Sequence, residues 1–288
     1  MVSIICNPVS GKYNIDEKYE LLTPISKHLK SEIHGLDTIT KKEFKNCLKE
    51  LTKQDNEICV AGGDGTVLDV LNTIDKNTII SYIPMGSGNA LRNPLKLTPI
   101  SKKNYNKIFN NIISGNINHI DTIKCNGIYT FFLGIGLDAL VAFKREEIIK
   151  KENKGFYSYA KPLFDVVKHG FPKYSAEISL DDYCFKTKIS TLIASKVSHY
   201  GYNLQVMPEA QLDDSLLHIR TIPLETIETI KGILSGFLQN QQAGIYYSGH
   251  SLTIETNSDI HIHLNGTPFK PTNEFRMYVE PKSFKFRY

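Results

Sequence analysis

The residues best suited to chemistry lie at positions 62–66 and read Gly-Gly-Asp-Gly-Thr, directly after an apolar run at 58–60. Glycine is unfavourable inside helices and strands, so this stretch is predicted to be a turn. The apolar spacing after it is typical of an amphipathic helix. A strand, a Gly-rich turn and a helix N-terminus together direct backbone N–H groups at a phosphate. Thr66 would add a hydroxyl donor, and Asp64 would hold Mg²⁺ or accept a hydroxyl proton.

The alternative for this stretch is a tight strand-to-helix connection in which Asp64 is only the helix N-cap. Two further turns favour the phosphate interpretation. Residues 7–11 (Asn-Pro-Val-Ser-Gly) follow an apolar strand, and residues 84–91 (Pro-Met-Gly-Ser-Gly-Asn-Ala-Leu) follow a strand at 78–83 and are expected to open toward a helix. Turns after successive strands indicate a βα-type sheet with all three at the ligand-binding edge. Residues 6–13 do not complete a Walker loop, because Cys6 holds the first glycine position.

Composition describes an ordinary globular protein, with 41% hydrophobic and 22% charged residues. A net charge of +4 is too mild to indicate nucleic acid, and it is compatible with an anionic substrate or a membrane surface. Five cysteines without a CxxC pair indicate a reduced, cytoplasmic protein without structural zinc. We expect no signal peptide and no transmembrane segment, so any membrane contact would be peripheral.

The pattern of elements changes near residue 120. Before it, helices are predicted around 16–30, at 44–51, from the Gly-rich turn to 74 and at 105–113. After it, short strand-like segments dominate, at 130–133, 175–180, 184–195, 217–222, 251–256, 260–264 and 275–279. Helical stretches at 139–151, 158–169 and 224–240 interrupt them. The pattern predicts an α/β half, a β-rich half and a ligand cleft between them.

Acidic residues and histidines of the second half have weaker signals. Asp213 and Asp214 could hold a hard cation or cap a surface turn, and spacing alone favours the turn. Asp138 is a candidate helix N-cap. His261 and His263 alternate along a strand and share one face, where packing is favoured over zinc.

Taken in order, these motifs resemble the diacylglycerol kinase catalytic-domain family, in particular its soluble bacterial lipid kinases, over nearly the whole chain. Residues 7–11 resemble NPxSG. Residues 62–72 resemble GGDGTxxEVxN, with Asp69 in place of glutamate. Residues 84–91 resemble PxGTxND, most closely the GSGNAL version of sphingosine and ceramide kinases. Residues 134–139 resemble GxGxDA, and residues 200–217 resemble GxxxxPxAxxDDGxL, with Ser215 in place of glycine.

The resemblance implies transfer of the γ-phosphoryl group of ATP to the hydroxyl of a lipid such as diacylglycerol or a sphingoid base. It implies an α/β plus all-β fold: a phosphofructokinase- and NAD-kinase-like domain at 1–120, joined by the tail 276–288, and a β-sandwich lipid-substrate domain at 121–275. Asp64 would be catalytic, and Asp214 would support a structural Mg²⁺. Nucleotide contacts would fall on Asn7, Pro8, Ser10, Gly11, Gly62, Gly63, Asp64, Gly65, Thr66, Gly86, Ser87 and Asn89. The expected partner is a lipid at the membrane surface and not nucleic acid. A homodimer is possible, and the sequence does not decide the oligomeric state.

One departure concerns the family's DGE triplet, whose acidic residues are candidates for base or metal ligand. Here the matching residues 265–267 read Asn-Gly-Thr, and neither side chain is a carboxylate. Asp64 would then act alone, the acceptor would need less activation, or catalysis would be lost. NAD kinases share GGDGT but lack the GSGNAL and PxAxxDD segments, so a NAD kinase ranks below a lipid kinase. A nucleotide-binding regulator is the third hypothesis.

Overall fold

The computed structural model describes residues 2–151, 173–200, 204–222 and 244–288. The chain divides into two compact units, Met1–Ile120 with Lys282–Tyr288, and Asp121–Pro281. The first unit is α/β, and the described part of the second is rich in strands. The predicted fold class is confirmed.

The first unit is built on a parallel sheet. Its strands are β1 (Val2–Cys6), β2 (Ile33–His34), β3 (Glu57–Gly62) and β4 (Ile79–Pro84), and its helices are α1 (Ile15–Leu29), α2 (Lys41–Gln54), α3 (Asp64–Leu71) and α4 (Tyr105–Ser114). The strand order is β4-β3-β1-β2, and residues 285–287 near the C-terminus pair in parallel with β4. This order places the carboxyl ends of β1, β3 and β4 next to one another.

Local sequence explains where α1 and α2 begin. Asn14 and Glu17 form a capping box before α1, in which the backbone N–H of each residue donates to the side chain of the other at 2.8 Å. Thr40 and Glu43 form the equivalent box before α2. Such reciprocal caps satisfy N–H groups that the first helical turn leaves without partners. Both helices bury apolar residues at helical spacing, including Leu22 and Ile25 in α1.

Antiparallel strands make up most of the described second unit. The elements that follow α4 are β5 (Ile117–Cys125), β6 (Ile128–Thr130), β7 (Phe132–Gly136), α5 (Leu137–Lys151), β8 (Tyr174–Leu180), β9 (Tyr183–Ile189), β10 (Thr191–Ser195), β11 (Leu217–Ile222), β12 (Ile245–Gly249), β13 (Ser251–Leu264) and β14 (Thr267–Arg287). The path β12-β11-β10-β7-β13-β14 is antiparallel throughout, and β8 pairs with both β13 and β9.

Several predicted elements differ from the structure. The segments expected at 251–256 and 260–264 form a single strand, β13. Polar residues separate the two segments, and there the pairing of β13 with β14 shifts in register. The turn at 84–91 opens onto a short 3₁₀ helix, Ala90–Arg92, and not an α-helix. Pro94 explains this, since it has no N–H to continue helical hydrogen bonding. Strands β5 and β12 were not predicted, and the helices expected at 158–169 and 224–240 lie outside the described residues.

Candidate active site

The three Gly-rich turns begin side by side at one edge of the parallel sheet. In the β1–β3 register, Cys6 lies opposite Ala61. In the β3–β4 register, Gly62 lies opposite Pro84. The turns that follow these strands therefore start at the same level, at the edge where ligands bind in open α/β sheets.

Close backbone contact between the turns requires glycine at several positions. A Cβ atom on Gly86 would lie 2.3 Å from the Cα atom of Gly63. Gly11 has a φ of +67°, and a Cβ atom there would lie 2.0 Å from the carbonyl oxygen of Met85. No real Cβ contact is this short, so side chains at these positions would force the turns apart.

Asn7 links the first turn to the second. Its Nδ2 atom donates to Thr66 Oγ1 at 3.0 Å, and its Oδ1 atom accepts the backbone N–H of Val9 at 3.0 Å. The Ser10 hydroxyl donates to the Asn7 carbonyl oxygen at 3.0 Å. These bonds fix the shape of the turn at 7–11 and hold it against the first turn of α3.

Asp64 links the second turn to the third. Its Oδ1 atom accepts the backbone N–H of Ala90 at 2.7 Å. The N-cap of α3 is Gly63, so Asp64 is the first helical residue and not the cap that the alternative interpretation assumed. Its carboxylate is half-buried at the N-terminus of α3, where the helix dipole stabilises negative charge.

Asn89 shapes the third turn through its own side chain. It has a φ of +62°, and its Oδ1 atom accepts the backbone N–H of Gly86 at 2.8 Å while its Nδ2 atom donates to the Gly86 carbonyl at 2.9 Å. The Tyr82 hydroxyl oxygen lies 3.1 Å from the Gly62 carbonyl oxygen and 3.2 Å from Asn89 Oδ1, so its single proton is shared between these two acceptors. Burial, with a smaller effect of the Asp64 charge, raises the pKa of Tyr82 well above its ordinary value. Tyr82 therefore stays a donor at physiological pH.

The remaining predicted nucleotide contacts also lie in these turns. Pro8, Gly65 and Ser87 are half-buried. All twelve residues that the resemblance assigns to nucleotide binding thus fall within the three neighbouring turns of the first unit. The pKa of Cys6, the residue before Asn7, is raised to about 12 by burial, against the opposing charge of Lys18. Its thiol is therefore not a nucleophile here.

Lys18 is a site residue that the sequence-based predictions missed. It lies in α1, is fully buried, and its Nζ atom donates to the carbonyl oxygens of Asn7 at 2.9 Å and Pro8 at 2.6 Å. The sequence does contain one indication of this role: Lys18 lies four residues before Leu22, on the apolar face of α1. A lysine on that face is costly to bury unless its ammonium has polar partners, and here it holds the turn at 7–11.

Asp69, at the position of the family's glutamate, has a structural role. Its side chain is almost fully buried, and its Oδ1 atom pairs with Lys41 Nζ at 2.9 Å and Lys45 Nζ at 3.1 Å. Both lysines belong to α2. The shorter carboxylate therefore ties α3 to its neighbouring helix.

Asp214, the predicted metal residue, belongs to the second unit. Its Oδ1 atom lies 2.5 Å from Lys196 Nζ, and its Oδ2 atom lies 2.8 Å from His218 Nε2. The carboxylate of Asp214 therefore has protein partners on both oxygens. A structural Mg²⁺ at this residue stays a prediction.

Asn265, which replaces the acidic residue of the family triplet, is buried in the second unit. Its Oδ1 atom accepts from the Thr130 hydroxyl at 2.8 Å and from the backbone N–H groups of Phe131 and Phe132 at 3.0 and 3.2 Å. Asn265 and Gly266 both have positive φ and join β13 to β14, as a type I′ hairpin turn requires. The asparagine is thus built into the fold as a hydrogen-bond acceptor.

His263, a buried residue two positions before this turn, pairs with the half-buried Asp138. His263 Nε2 lies 2.8 Å from Asp138 Oδ2, and the Gly266 N–H donates to His263 Nδ1 at 3.2 Å. The Tyr200 hydroxyl donates to the same Asp138 oxygen at 3.2 Å. A Cβ atom on Gly134 would lie 2.1 Å from that oxygen, so glycine leaves the room this pair occupies. His263 is therefore a packed, hydrogen-bonded residue, and packing is the role that its position in the sequence favoured.

Across the described ranges, no cluster of three or more histidine, cysteine or acidic residues has the arrangement of a metal site. Among the helices that the structure describes, none has the length and apolar character needed to cross a membrane.

The chain is similar to known proteins in both sequence and structure. Residues 1–125 match the family model for the diacylglycerol kinase catalytic domain. The "Probable lipid kinase YegS-like" of Shewanella frigidimarina is 24% identical over 276 residues, which cover 90% of this chain and 86% of that protein. The crystal structure of a diacylglycerol kinase from Bacillus anthracis is similar, with a TM-score of 0.78, 19% identity and coverage of 100% of this chain and 96% of that one.

An NAD kinase from Archaeoglobus fulgidus, solved in complex with ATP, has the same fold at a lower TM-score of 0.55 and 11% identity, over 100% of this chain and 94% of that one. The fold is therefore that of diacylglycerol kinases and NAD kinases, and the relatives named lipid kinases support a kinase role. Residues 1–125, which contain the three turns, are therefore similar to the diacylglycerol kinase catalytic domain.

Proposed function

We propose that this protein is an ATP-dependent lipid kinase that phosphorylates the hydroxyl of a lipid such as diacylglycerol or a sphingoid base. The observation that carries the proposal is the convergence of three Gly-rich turns at one sheet edge, with the Asp64 carboxylate among them. The relatives named lipid kinases support the acceptor class, and the related NAD kinase structure with ATP supports the donor.

Nucleotide binding is assigned to the turns at 7–11, 62–66 and 86–89. Backbone N–H groups at the N-terminus of α3, together with the Thr66 hydroxyl, are suited to phosphate oxygens. Mg²⁺ fits the carboxylate of Asp64, since it prefers oxygen ligands and is usually shared between one or two carboxylates and substrate phosphates. When bound, the metal would neutralise charge on the transferred phosphoryl group.

In the proposed reaction the lipid hydroxyl oxygen forms a bond to the γ-phosphorus while the bond to the β–γ bridging oxygen of ATP breaks. The hydroxyl proton must leave, and ADP departs with the bridging oxygen. Asp64 is the residue of the first unit assigned to receive that proton or to position the metal. Contact with a membrane surface follows from the acceptor, because a lipid with long hydrocarbon chains resides in a bilayer.

The test is incubation of the purified protein with labelled ATP and a panel of lipids in mixed micelles, with D64N in parallel. A labelled lipid product that D64N does not make supports the proposal. Labelled NADP from added NAD would indicate an NAD kinase instead. Absence of both products, with ATP bound, would overturn the lipid kinase proposal.

A second candidate is a nucleotide-binding regulator with little or no transfer activity. The observation that favours it is the buried asparagine at 265, whose Oδ1 atom accepts from three donors at 2.8–3.2 Å and cannot act as a carboxylate base. In the same assay this candidate binds ATP tightly and labels no lipid.

A further inference from the structure

Lys196 is a buried cation in the second unit. It follows β10, its side chain is 0% exposed, and so is that of Asp121, its partner at 3.0 Å. The other two acceptors are Asp214 Oδ1 at 2.5 Å and the Leu216 carbonyl oxygen at 2.8 Å. An ammonium group has three donors, so each proton of Lys196 has an acceptor.

These acceptors are of the kind that bind a hard metal ion. Two carboxylate oxygens and a backbone carbonyl oxygen are typical ligands of Mg²⁺ or Ca²⁺. The family resemblance implies a structural Mg²⁺ supported by one of them, Asp214. We propose that the ammonium group of Lys196 takes the place of that metal ion, so that the second unit carries a built-in cation and binds no structural Mg²⁺ at Asp214.

The remaining contacts of Asp214 agree with the proposal. Its Oδ1 atom also accepts the Leu216 N–H at 3.1 Å, and its Oδ2 atom lies 2.8 Å from His218 Nε2. On the other side of the ring, Tyr246 Oη lies 2.8 Å from His218 Nδ1. Because a carboxylate only accepts, Nε2 carries the proton and donates to Asp214. Both oxygens of Asp214 are thus occupied by protein donors.

The carboxylate of Asp121 also has protein donors. Its Oδ2 atom accepts the backbone N–H of Ser215 at 2.7 Å in addition to Lys196. A Mg²⁺ ion on these same oxygens would lie within a few ångströms of the ammonium group, and repulsion between like charges is strong away from bulk water. Mg²⁺ also demands near-octahedral oxygen coordination, and the ammonium occupies the centre of the acceptor set.

The first test uses the full-length wild-type protein without nucleotide, so it is independent of the kinase proposal. We expect the same unfolding temperature in EDTA and in millimolar MgCl₂, and no bound divalent metal by elemental analysis after desalting. A stoichiometric divalent ion that survives desalting, or an unfolding temperature that falls in EDTA, would overturn the proposal.

The second test removes the cation with Lys196→Met, which leaves Asp121 and Asp214 facing each other. We expect a lower unfolding temperature than wild type in EDTA, partly restored by millimolar CaCl₂ or MgCl₂. The matched control is Lys186→Met, because Lys186 is 80% exposed and pairs with the surface residue Glu177. The control should unfold like wild type with or without metal.

An unfolding temperature of Lys196→Met equal to that of wild type in EDTA would contradict the assigned role of the ammonium group. If Lys196→Met does not accumulate as folded protein, the double variant with Asp214→Asn removes one negative charge together with the lysine. Recovery of folded protein in the double variant supports the proposal, and failure to recover it counts against a charge-balancing role.

Discussion

The carboxylate of Asp64 accepts the backbone N–H of Ala90 at 2.7 Å, which joins the turn after β3 to the turn after β4. Asp64 thus holds a neighbouring loop, and the proposed function gives the same carboxylate a chemical role. Substitutions that separate the two roles are the most informative.

Asp64→Asn keeps the hydrogen bond to Ala90, because the amide oxygen of asparagine also accepts. It removes the negative charge that the proposed reaction needs. We expect kcat to fall by about 10²–10⁴-fold with an unchanged unfolding temperature. Measurement of lipid phosphorylation together with circular dichroism checks both parts.

The control for this substitution is Asp16→Asn, which removes an exposed carboxylate from the first turn of α1. It should retain wild-type kcat. Wild-type turnover by Asp64→Asn would show that the active site has been assigned to the wrong residues.

Asn265→Asp restores the family's carboxylate without disturbing the turn, since aspartate tolerates positive φ and Asp-Gly also suits a type I′ turn. The donors of Thr130, Phe131 and Phe132 would stabilise the charged form. If the missing carboxylate limits the rate, kcat should rise, by up to about 10²-fold. No gain in a folded variant would indicate a site rebuilt around asparagine.

Asn265→Ala is the structural comparison for that variant. It leaves the hydroxyl of Thr130 and two backbone N–H groups without this acceptor. Removal of one partner from a buried hydrogen bond costs about 1–3 kcal/mol, so urea unfolding should show a loss of that size. A loss near zero would mean that solvent or another acceptor replaces the side chain.

Lys18→Met removes the ammonium that holds the carbonyl oxygens of Asn7 and Pro8. We expect a free energy of unfolding lower by about 1–3 kcal/mol and a several-fold rise in KM for ATP, with a smaller change in kcat, because the turn at 7–11 loses its support. Kinetics at varied ATP concentration separate the two parameters.

Lys27→Met is the matched control, because Lys27 lies on the same helix but is exposed. It should leave KM for ATP unchanged. If Lys18→Met leaves KM for ATP unchanged, Lys18 does not support nucleotide binding through the turn at 7–11.

Ser215→Gly should stabilise the protein. Ser215 has a φ of +60°, where a side chain is strained, and it occupies the glycine position of the family motif. Relief of this strain is worth roughly 1 kcal/mol, and the backbone contacts to Asp121 and His250 do not need the side chain. Denaturant unfolding measures the gain.

The opposite sign is expected for Ser248→Gly, an exposed serine within β12. Glycine in a strand costs roughly 0.5–1 kcal/mol. If both variants lose stability, strain at Ser215 is not the explanation of its conformation.

Stability should fall as the pH decreases through the range near 6. Burial lowers the pKa of His218, although Asp214 opposes this, and burial also lowers that of His199. The unfolded chain, with a histidine pKa of about 6.5, therefore binds protons that the folded protein does not. Below about pH 6.5 the free energy of unfolding must then decrease.

Asp214 adds a second loss at lower pH. Burial raises the pKa of Asp214, but the hydrogen bonds from Lys196 and Leu216 and the charges of Lys196 and His218 have the larger combined effect. The pKa of Asp214 is therefore lowered. Its stabilisation is present above the unfolded pKa of about 3.9 and disappears as the pH falls through the folded value.

His218→Gln should flatten the dependence of stability on pH near pH 6, whereas His119→Gln, at an exposed position, should leave it unchanged.

The sequence alone determined the parts of the fold that depend on neighbouring residues. The Gly-rich turns, the capped helices and the strands before each turn follow from local periodicity and from the backbone freedom of glycine. The order of the motifs then sufficed to predict a phosphate site at one sheet edge, because carboxyl ends of parallel strands coincide.

Only the tertiary structure decided which polar groups are buried and what holds them. Asn265 meets the Phe131 N–H across a separation of 134 residues, and Lys18 becomes a buried loop support only when α1 packs on the sheet. Lys196 becomes a cation with three acceptors only when β5 and the segment before β11 meet it. Desolvation and charge pairing depend on contacts between distant parts of the chain, and spacing along the sequence does not contain them.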